Sequence, residues 1–314
     1  MTVPNLSALA VLTGRLGRCG DLDAIITESL DALAQLFGFE HSMLMMVDET
    51  GNRLYTIASR GYDRAGIGSE VDVGEGIIGV VAARGIPIRV SNVQRMVTYA
   101  RTVQRSVGPE VDDIPLPGLA SARSQLAAPA MVMGQLIGVL AVESERQGAF
   151  GPEDEELLGV VAHLVAGAIE LDRVGERARV GARPDAPAGE GGAVHAPSAP
   201  TGKPERVNTV RFFPADGSTF VNGDYLVKGV PGRILWRLLR EHRDDGRTEF
   251  SNREVRLDPS LELPAFRDNL ESRLILLKRR LDERVAPMRI QKTGRGRFSL
   301  VVDGPLVLDL AGSS

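Results

Sequence analysis

The sequence predicts an α+β protein of two domains, on three observations. Apolar residues recur with a helical period in some segments and alternate with a strand period in others. A stretch rich in Ala, Gly and Pro, from Arg179 to Pro204, holds almost no large apolar residue and divides the chain. Charge divides it too. Up to Thr201 there are 16 Arg, no Lys and 25 Asp plus Glu, for −9, whereas from Gly202 onward 21 Arg plus Lys face 16 acidic residues, for +5. The expected boundaries are 1–178 for the first domain, 179–206 for a flexible linker and 207–314 for the second domain. An acidic domain joined to a basic one implies different partners, a polyanion for the basic one.

The 314 residues, 43% of them hydrophobic, suffice for two folded domains. No apolar run approaches the ~18 residues of a membrane span, so no membrane association is expected. The first residues, MTVPNLSALAVLTGRLGRCG, lack the basic and small-residue pattern of a secretory signal. The single cysteine, Cys19, excludes an internal disulfide and fits a reducing cytoplasm. With four widely separated histidines, a structural zinc site is not expected.

Helices open the first domain. From Asp21, apolar residues at Leu22, Ile25, Ile26, Leu30, Leu33, Leu36 and Phe37 follow a helical period that Gly38 stops. Strands are expected at Ser42–Val47 and Leu54–Ala58 around the turn DETGN, and a short one near Glu70–Val73. Gly76 and Gly79 flank a helix that runs to about Arg84, where Gly85 ends it before an extended Ile86–Val90. A short helix is read at Thr98–Val107 and a Pro- and Asp-rich loop at Gly108–Ala122. Strands Ser124–Met133 and Leu136–Glu143 are joined by a Gly134-Gln135 turn. A last helix starts near Pro152, where Glu153 to Glu156 complement its dipole, and reaches about Ala178.

In this order, FGFEHSMLMMVDE with RLYTIASRGY, VGEGIIGVVAARGIPIRVSNV, SQLAAPAMVMGQLIGVLAVES and AFGPEDEELLGVVAHLVAGAIE resemble a GAF domain, a small-molecule sensor module of bacterial regulators. The resemblance implies an antiparallel sheet flanked by helices, with terminal helices on one face and a ligand pocket on the other. The cyclic-nucleotide subclass carries an Asn-Lys-Phe-Asp-Glu set. Asn92, Asp112 and Asp113 are present without the Lys-Phe, so such a ligand is not expected. A covalent bilin needs a cysteine in the pocket region, and Cys19 precedes the first domain helix.

No phosphate loop, HExxH pattern or triad spacing is present, so catalysis is not expected. Met43, Met45, Met131 and Met133 alternate along two strands, and each pair shares a face. Soft thioethers there suit either an adaptable effector pocket or plain core packing. Tyr99 and Thr102, with Gln104 and Arg105, fall where the resemblance places a pocket-lining helix. No cofactor is assigned, and the effector is an unidentified small molecule. His41 and His163 are either haem or iron ligands or structural histidines. Cys19 is either a small structural residue or a thiol that Arg15 and Arg18 activate. The last helix carries apolar residues over more than one core stripe requires (Leu157, Leu158, Val161, Leu164, Val165, Ala168, Ile169, Leu171, Val174), which favours a parallel homodimer.

In the second domain, strands are read at Thr209–Phe213 and Thr219–Leu226, and Pro231 starts an amphipathic helix that Gly246 closes. Ser251 and Glu254 form a capping box. Pro264 opens a basic helix to about Arg284, and MRIQKTGRGRFSLVV from Met288 reads as a hairpin with a Gly-Arg-Gly-Arg tip. A basic helix followed by a basic hairpin suits DNA, the helix in the major groove and the hairpin, or wing, on the neighbouring backbone. Through FSNREV, RLILLKRRLDE and TGRGRF, the segment from about Val210 to Leu308 resembles the winged helix-turn-helix of OmpR-type regulators. It departs from that pattern in Phe298 at a position usually Tyr, in an Asp258-Pro259 interruption, and in the absence of a receiver domain.

Leu270, Leu274, Leu277 and Leu281 form the inward stripe of the basic helix, so Arg267, Asn269, Arg273, Lys278 and Arg280 are expected towards solvent or DNA. Arg267, Asn269 and Arg273 are the candidates for base contacts or phosphate clamps, Lys278, Arg279 and Arg280 for the backbone, and Arg295 and Arg297 for phosphate or the minor groove. The functional expectation is a cytoplasmic one-component transcription regulator, dimeric, sensing a small effector and binding double-stranded DNA. The alternative is a signalling adapter whose winged helix binds protein.

Overall fold

A computed structural model describes residues 3–93, 114–181, 207–261, 263 and 270–311. The chain forms two compact units, Met1–Asp172 with Leu263–Glu283, and Arg173–Glu262 with Arg284–Ser314.

The first unit is built on a six-stranded antiparallel sheet of β1 (His41–Val47), β2 (Arg53–Arg60), β3 (Glu70–Asp72), β4 (Ile88–Val90), β5 (Ser124–Val132) and β6 (Gln135–Ser144). Its order is β3-β2-β1-β6-β5-β4. Helix α1 spans Val3–Leu16 and α2 spans Leu22–Phe37. The α2 ends are set locally. The Asp21 carboxylate accepts the Ala24 N–H at 2.9 Å, and Gly38 takes a left-handed conformation, φ 73°, that returns its N–H to the last turn. In the β1–β2 turn, Asp48 Oδ1 accepts the N–H groups of Asn52 and Arg53, both at 3.1 Å.

Strand alternation sorts the sheet into two faces. Met43, Met45 and Val47 join Ala127, Val139 and Ala141 in one core, closed by Ile78, Val81 and Ala82 of helix α3 (Gly76–Arg84). The alternate residues Leu44, Met46, Leu140 and Val142 are fully buried in turn, and α2 packs on β1 and β2. Helix α4 (Pro152–Gly181) buries Leu157, Leu158, Val161, Ala162, Val165, Ala166 and Ile169 as one stripe. Gly138 is required where it stands, because a Cβ there would lie 2.1 Å from the Met45 carbonyl oxygen.

The β5–β6 hairpin differs from expectation by one residue. The turn is Met133-Gly134, both with positive φ (49° and 75°), and Met133 is 95% exposed. A two-residue hairpin of this twist needs positive φ at both central positions, and this register gives a bulge at Ala130/Met131.

In the second unit, β7 (Asn208–Phe213), β8 (Ser218–Val221), β9 (Asp224–Val227) and β13 (Leu306–Leu310) form a sheet of order β13-β7-β8-β9, with β13 parallel to β7. The single strand expected at Thr219–Leu226 is in fact a hairpin, because Asn222-Gly223 (φ 54° and 91°) turns it back. Helix α5 (Val230–Asp245) buries Ile234, Leu235, Leu238 and Leu239 and stacks Trp236 on Phe212 at 5.0 Å. Helix α6 (Asn252–Arg256) has the expected capping box of Ser251 and Glu254. A second sheet, β10-β12-β11, consists of β10 (Glu249–Ser251), β11 (Met288–Gly294) and β12 (Arg297–Val302).

The described part of the basic helix, α7 (Leu270–Glu283), packs in the first unit. Its expected opening at Pro264 lies outside the described residues, as do the helix at 98–107 and most of the linker.

Candidate functional site

The α3-covered face of the sheet carries two methionines of β1, and its chemistry changes along the strands. Met43 and Met45 lie here, fully buried and packed with Ala127 and Ala141. Met131, on β5, approaches Gly85 at the end of α3, its sulfur 3.5 Å from where a Gly85 Cβ would stand. Met133 is not part of this face, since it occupies the exposed turn. Tyr99, Thr102, Gln104 and Arg105 lie outside the described residues.

At one end of the same face the register aligns three polar side chains: Gln125 opposite Glu143, and Glu143 opposite His41. Gln125 donates to Glu143 Oε1 at 3.1 Å and the Leu119 N–H donates to Oε2 at 3.0 Å. The Tyr62 ring meets the His41 ring edge-on at 5.7 Å. Burial raises the Glu143 carboxyl above its ordinary value, a rise that the Leu119 N–H and Tyr62 partly offset. Burial, and then the Glu143 charge, push the Tyr62 phenol far upward. The hydroxyl of Tyr62 is enclosed without a well-aligned hydrogen bond, yet close enough to Glu143 to feel its charge. Glu143 therefore ties the segment at Leu119 to the sheet and gives an otherwise apolar face a polar end. Alternation alone would put His41, Glu143 and Gln125 on the methionine face, but not the register that aligns them.

Cys19 departs from the activated-thiol alternative. Its thiol donates to the Arg15 carbonyl at 3.5 Å, while Arg15 is engaged with Glu28 and Gln35. Burial, then the charges of Glu28 and Asp21, raise its pKa and disfavour the thiolate. His163 Nδ1 lies 2.6 Å from the Gly159 carbonyl, within its own helix. Among the described residues no three His, Cys, Asp or Glu side chains cluster so as to hold a metal, and no helix is long and apolar enough to cross a membrane.

The basic helix is the larger surprise. Leu270, Leu274, Leu277 and Leu281 are buried as its stripe requires, but Arg273 and Arg280, expected towards solvent, are buried as well, at 7% and 5% exposure. Arg273 forms a bidentate pair with Glu49, Nε to Oε1 at 2.7 Å and Nη2 to Oε2 at 2.5 Å, and lies 4.0 Å over the Tyr55 ring. Its burial opposes the charge, but Tyr55 and Glu49 more than offset this and hold it ionised. Arg280 pairs with Glu283 at 2.6 Å. Lys278 is 3.6 Å from Asp23 and 3.7 Å from Asp282. A Leu stripe four and three residues apart predicts one buried face; it carries no sign of a second, charged face meeting acidic partners far away in sequence. Arg267 and Asn269 lie outside the described residues. Arg295 and Arg297 are exposed at the tip of the β11–β12 hairpin, beside exposed Lys292.

The GAF domain family model matches residues 21–169. No curated protein matches the sequence. Among solved structures, the GAF domain of a phosphoenolpyruvate-protein phosphotransferase from Acinetobacter is 20% identical, covering 55% of this chain and 97% of its own, with a TM-score of 0.45. The corresponding GAF domain from Coxiella burnetii is 18% identical over 55% of this chain and 96% of its own, TM-score 0.44. Free methionine-R-sulfoxide reductase from Neisseria meningitidis, in complex with its substrate, is 20% identical over 55% and 91%, TM-score 0.44. With its six-stranded antiparallel sheet, flanking helices and family match, the segment 21–169 is a GAF domain.

Proposed function

We propose that the protein is a one-component transcription regulator in which the GAF domain senses a small effector and the C-terminal region binds double-stranded DNA as a winged helix. The observation that carries this reading is the β11–β12 hairpin, whose tip exposes Lys292, Arg295 and Arg297 next to a three-stranded sheet and the capped helix α6. Exposed guanidinium groups on a hairpin suit contacts to phosphate or the minor groove. The effector would occupy the α3 side of the GAF sheet, where Met43 and Met45 supply an adaptable apolar floor and the Tyr62–Glu143 end supplies polarity.

Dimerisation is supported by α4. Val160, Leu171 and Val174 are exposed on it at 46%, 74% and 51%. With Leu164 and Gly167 they follow steps of four, three, four and three residues, a seam suited to a partner helix and distinct from the stripe that faces the core.

Fluorescence anisotropy with a labelled duplex tests the reading. Binding falls steeply as salt rises, and Arg295→Ala with Arg297→Ala lowers the slope of log affinity against log salt by about 2, near 0.9 for each phosphate no longer neutralised. No affinity for any duplex at low salt would leave the adapter reading instead.

A further inference from the structure

Of the four cationic residues of α7 that the DNA reading would use, three (Arg273, Lys278 and Arg279) are already occupied by groups far away in sequence. Arg273 is clamped by Glu49 and stacked on Tyr55. Arg279 donates to Asp23 Oδ1 from Nε at 3.1 Å and from Nη2 at 2.7 Å, to Thr27 Oγ1 at 2.9 Å, and to the Ile57 carbonyl at 3.2 Å. Lys278 lies beside Asp23 as well. At the end of the helix, Glu283 accepts the Gly66 N–H at 3.2 Å. These contacts join residues more than 200 positions apart. The charged partners of these cations are carboxylates of the acidic part of the chain. A bidentate carboxylate and a phosphate present the same paired oxygens to a guanidinium.

We propose that Glu49, Tyr55 and Asp23 form a built-in docking face for the basic helix, and that this face and a DNA backbone compete for Arg273, Lys278 and Arg279. The inference rests on the DNA-binding reading and adds its control: docking withholds the helix from DNA. It is local electrostatics with a two-state element, which effector binding in the same domain can bias. Apparent DNA affinity is then the intrinsic affinity scaled by the undocked fraction.

The test uses the full-length chain with Glu49→Gln and, separately, Asp23→Asn, both conservative in shape. Hydrogen exchange over residues 270–283 reads the dock, and anisotropy with a labelled random-sequence duplex at low salt reads DNA binding. Either variant is expected to speed exchange in α7 and to tighten duplex binding by about five- to tenfold, within the range of ordinary coupling between sites. Unchanged exchange and unchanged affinity in both variants would overturn the docking face while leaving the DNA reading intact. Faster exchange with no duplex binding by any form would overturn the competition and the DNA reading together, leaving a structural clamp. A charge swap guards against misfolding: protection lost in Glu49→Arg returns in Glu49→Arg/Arg273→Glu, and failure to return overturns the ion pair as the clamp.

Discussion

Replacing Arg273 by Met, Glu49 by Gln, and both together gives a double-mutant cycle whose size follows from the geometry. The pair is neither exposed nor screened, with side-chain exposures of 9% and 18%. It has two aligned N–H···O bonds at 2.7 and 2.5 Å and a ring under the guanidinium at 4.0 Å. Exposed pairs are worth about 0–1 kcal/mol, whereas removing one partner of a buried pair costs about 3–5 kcal/mol because the other is left unsatisfied. Arg273→Met, which keeps apolar bulk over Tyr55, is expected near the lower end, about 3 kcal/mol, since Glu49 regains some water. Glu49→Gln keeps a neutral acceptor and is expected to cost about 1.5 kcal/mol, the low end for a hydrogen bond to a charged group. The double variant leaves no buried charge without its counter-charge, so it should cost less than the sum, with a coupling of about 1–2 kcal/mol. Urea unfolding of the full chain at low salt measures all three. A coupling below about 0.5 kcal/mol would refute this, because the pair would then behave as a surface ion pair.

Further predictions concern the frame around this contact. Gly232→Ala is expected to destabilise the second unit by about 1–3 kcal/mol or more, since its Cβ would stand 1.9 Å from the Gly217 carbonyl oxygen; an unchanged urea midpoint would contradict this. Met133→Asn is expected to stabilise the β5–β6 hairpin by about 0.5–1 kcal/mol, because the exposed Met133 holds a φ of 49° that Asn tolerates better; a lowered melting temperature would count against it. Glu143 has its carboxyl raised in the folded protein, so its contribution is fully present below the ordinary glutamate value. That contribution is lost as pH rises through the raised folded value. Glu143→Gln should remove that component of the pH slope in melts run upward from about pH 4, the ordinary range for a carboxylate, and an unaltered slope would refute it. Leu171→Glu, at a position 74% exposed in the α4 seam, should convert a dimer to monomer in native mass spectrometry without loss of helix content; a persisting dimer would exclude that seam.

Much of the GAF domain can be read from local patterns. Asp21 and Gly38 bracket α2 with a cap at each end, and these signals need no tertiary context. Strand alternation places Met43 and Met45 on one face. Alternation does not give turn register: Met133 lacks the residue type that usually marks positive φ, so the expected turn falls one position late. The converse holds at Asn222-Gly223, where the turn signal stands inside a run that otherwise reads as one strand. In the polar row of His41, Glu143 and Gln125, the last two meet across the β5–β6 hairpin, but His41 joins them by pairing between strands about 100 residues apart, which no local pattern encodes. The partners of Arg273 and Arg279 are hidden for the same reason. A helical wheel shows which cations lie off the leucine stripe, but the acids that receive them, Glu49 and Asp23, are on another part of the chain.

Competition between one acidic face and DNA for the same basic helix can be read by hydrogen exchange on the wild-type full chain, with and without saturating duplex. Duplex is expected to protect the hairpin at 288–302 and at the same time to speed exchange over 45–60, the strands and turn that carry Glu49, Tyr55 and Ile57. Protection of the hairpin with 45–60 unchanged would rule out competition, because DNA would then be bound with the helix still docked.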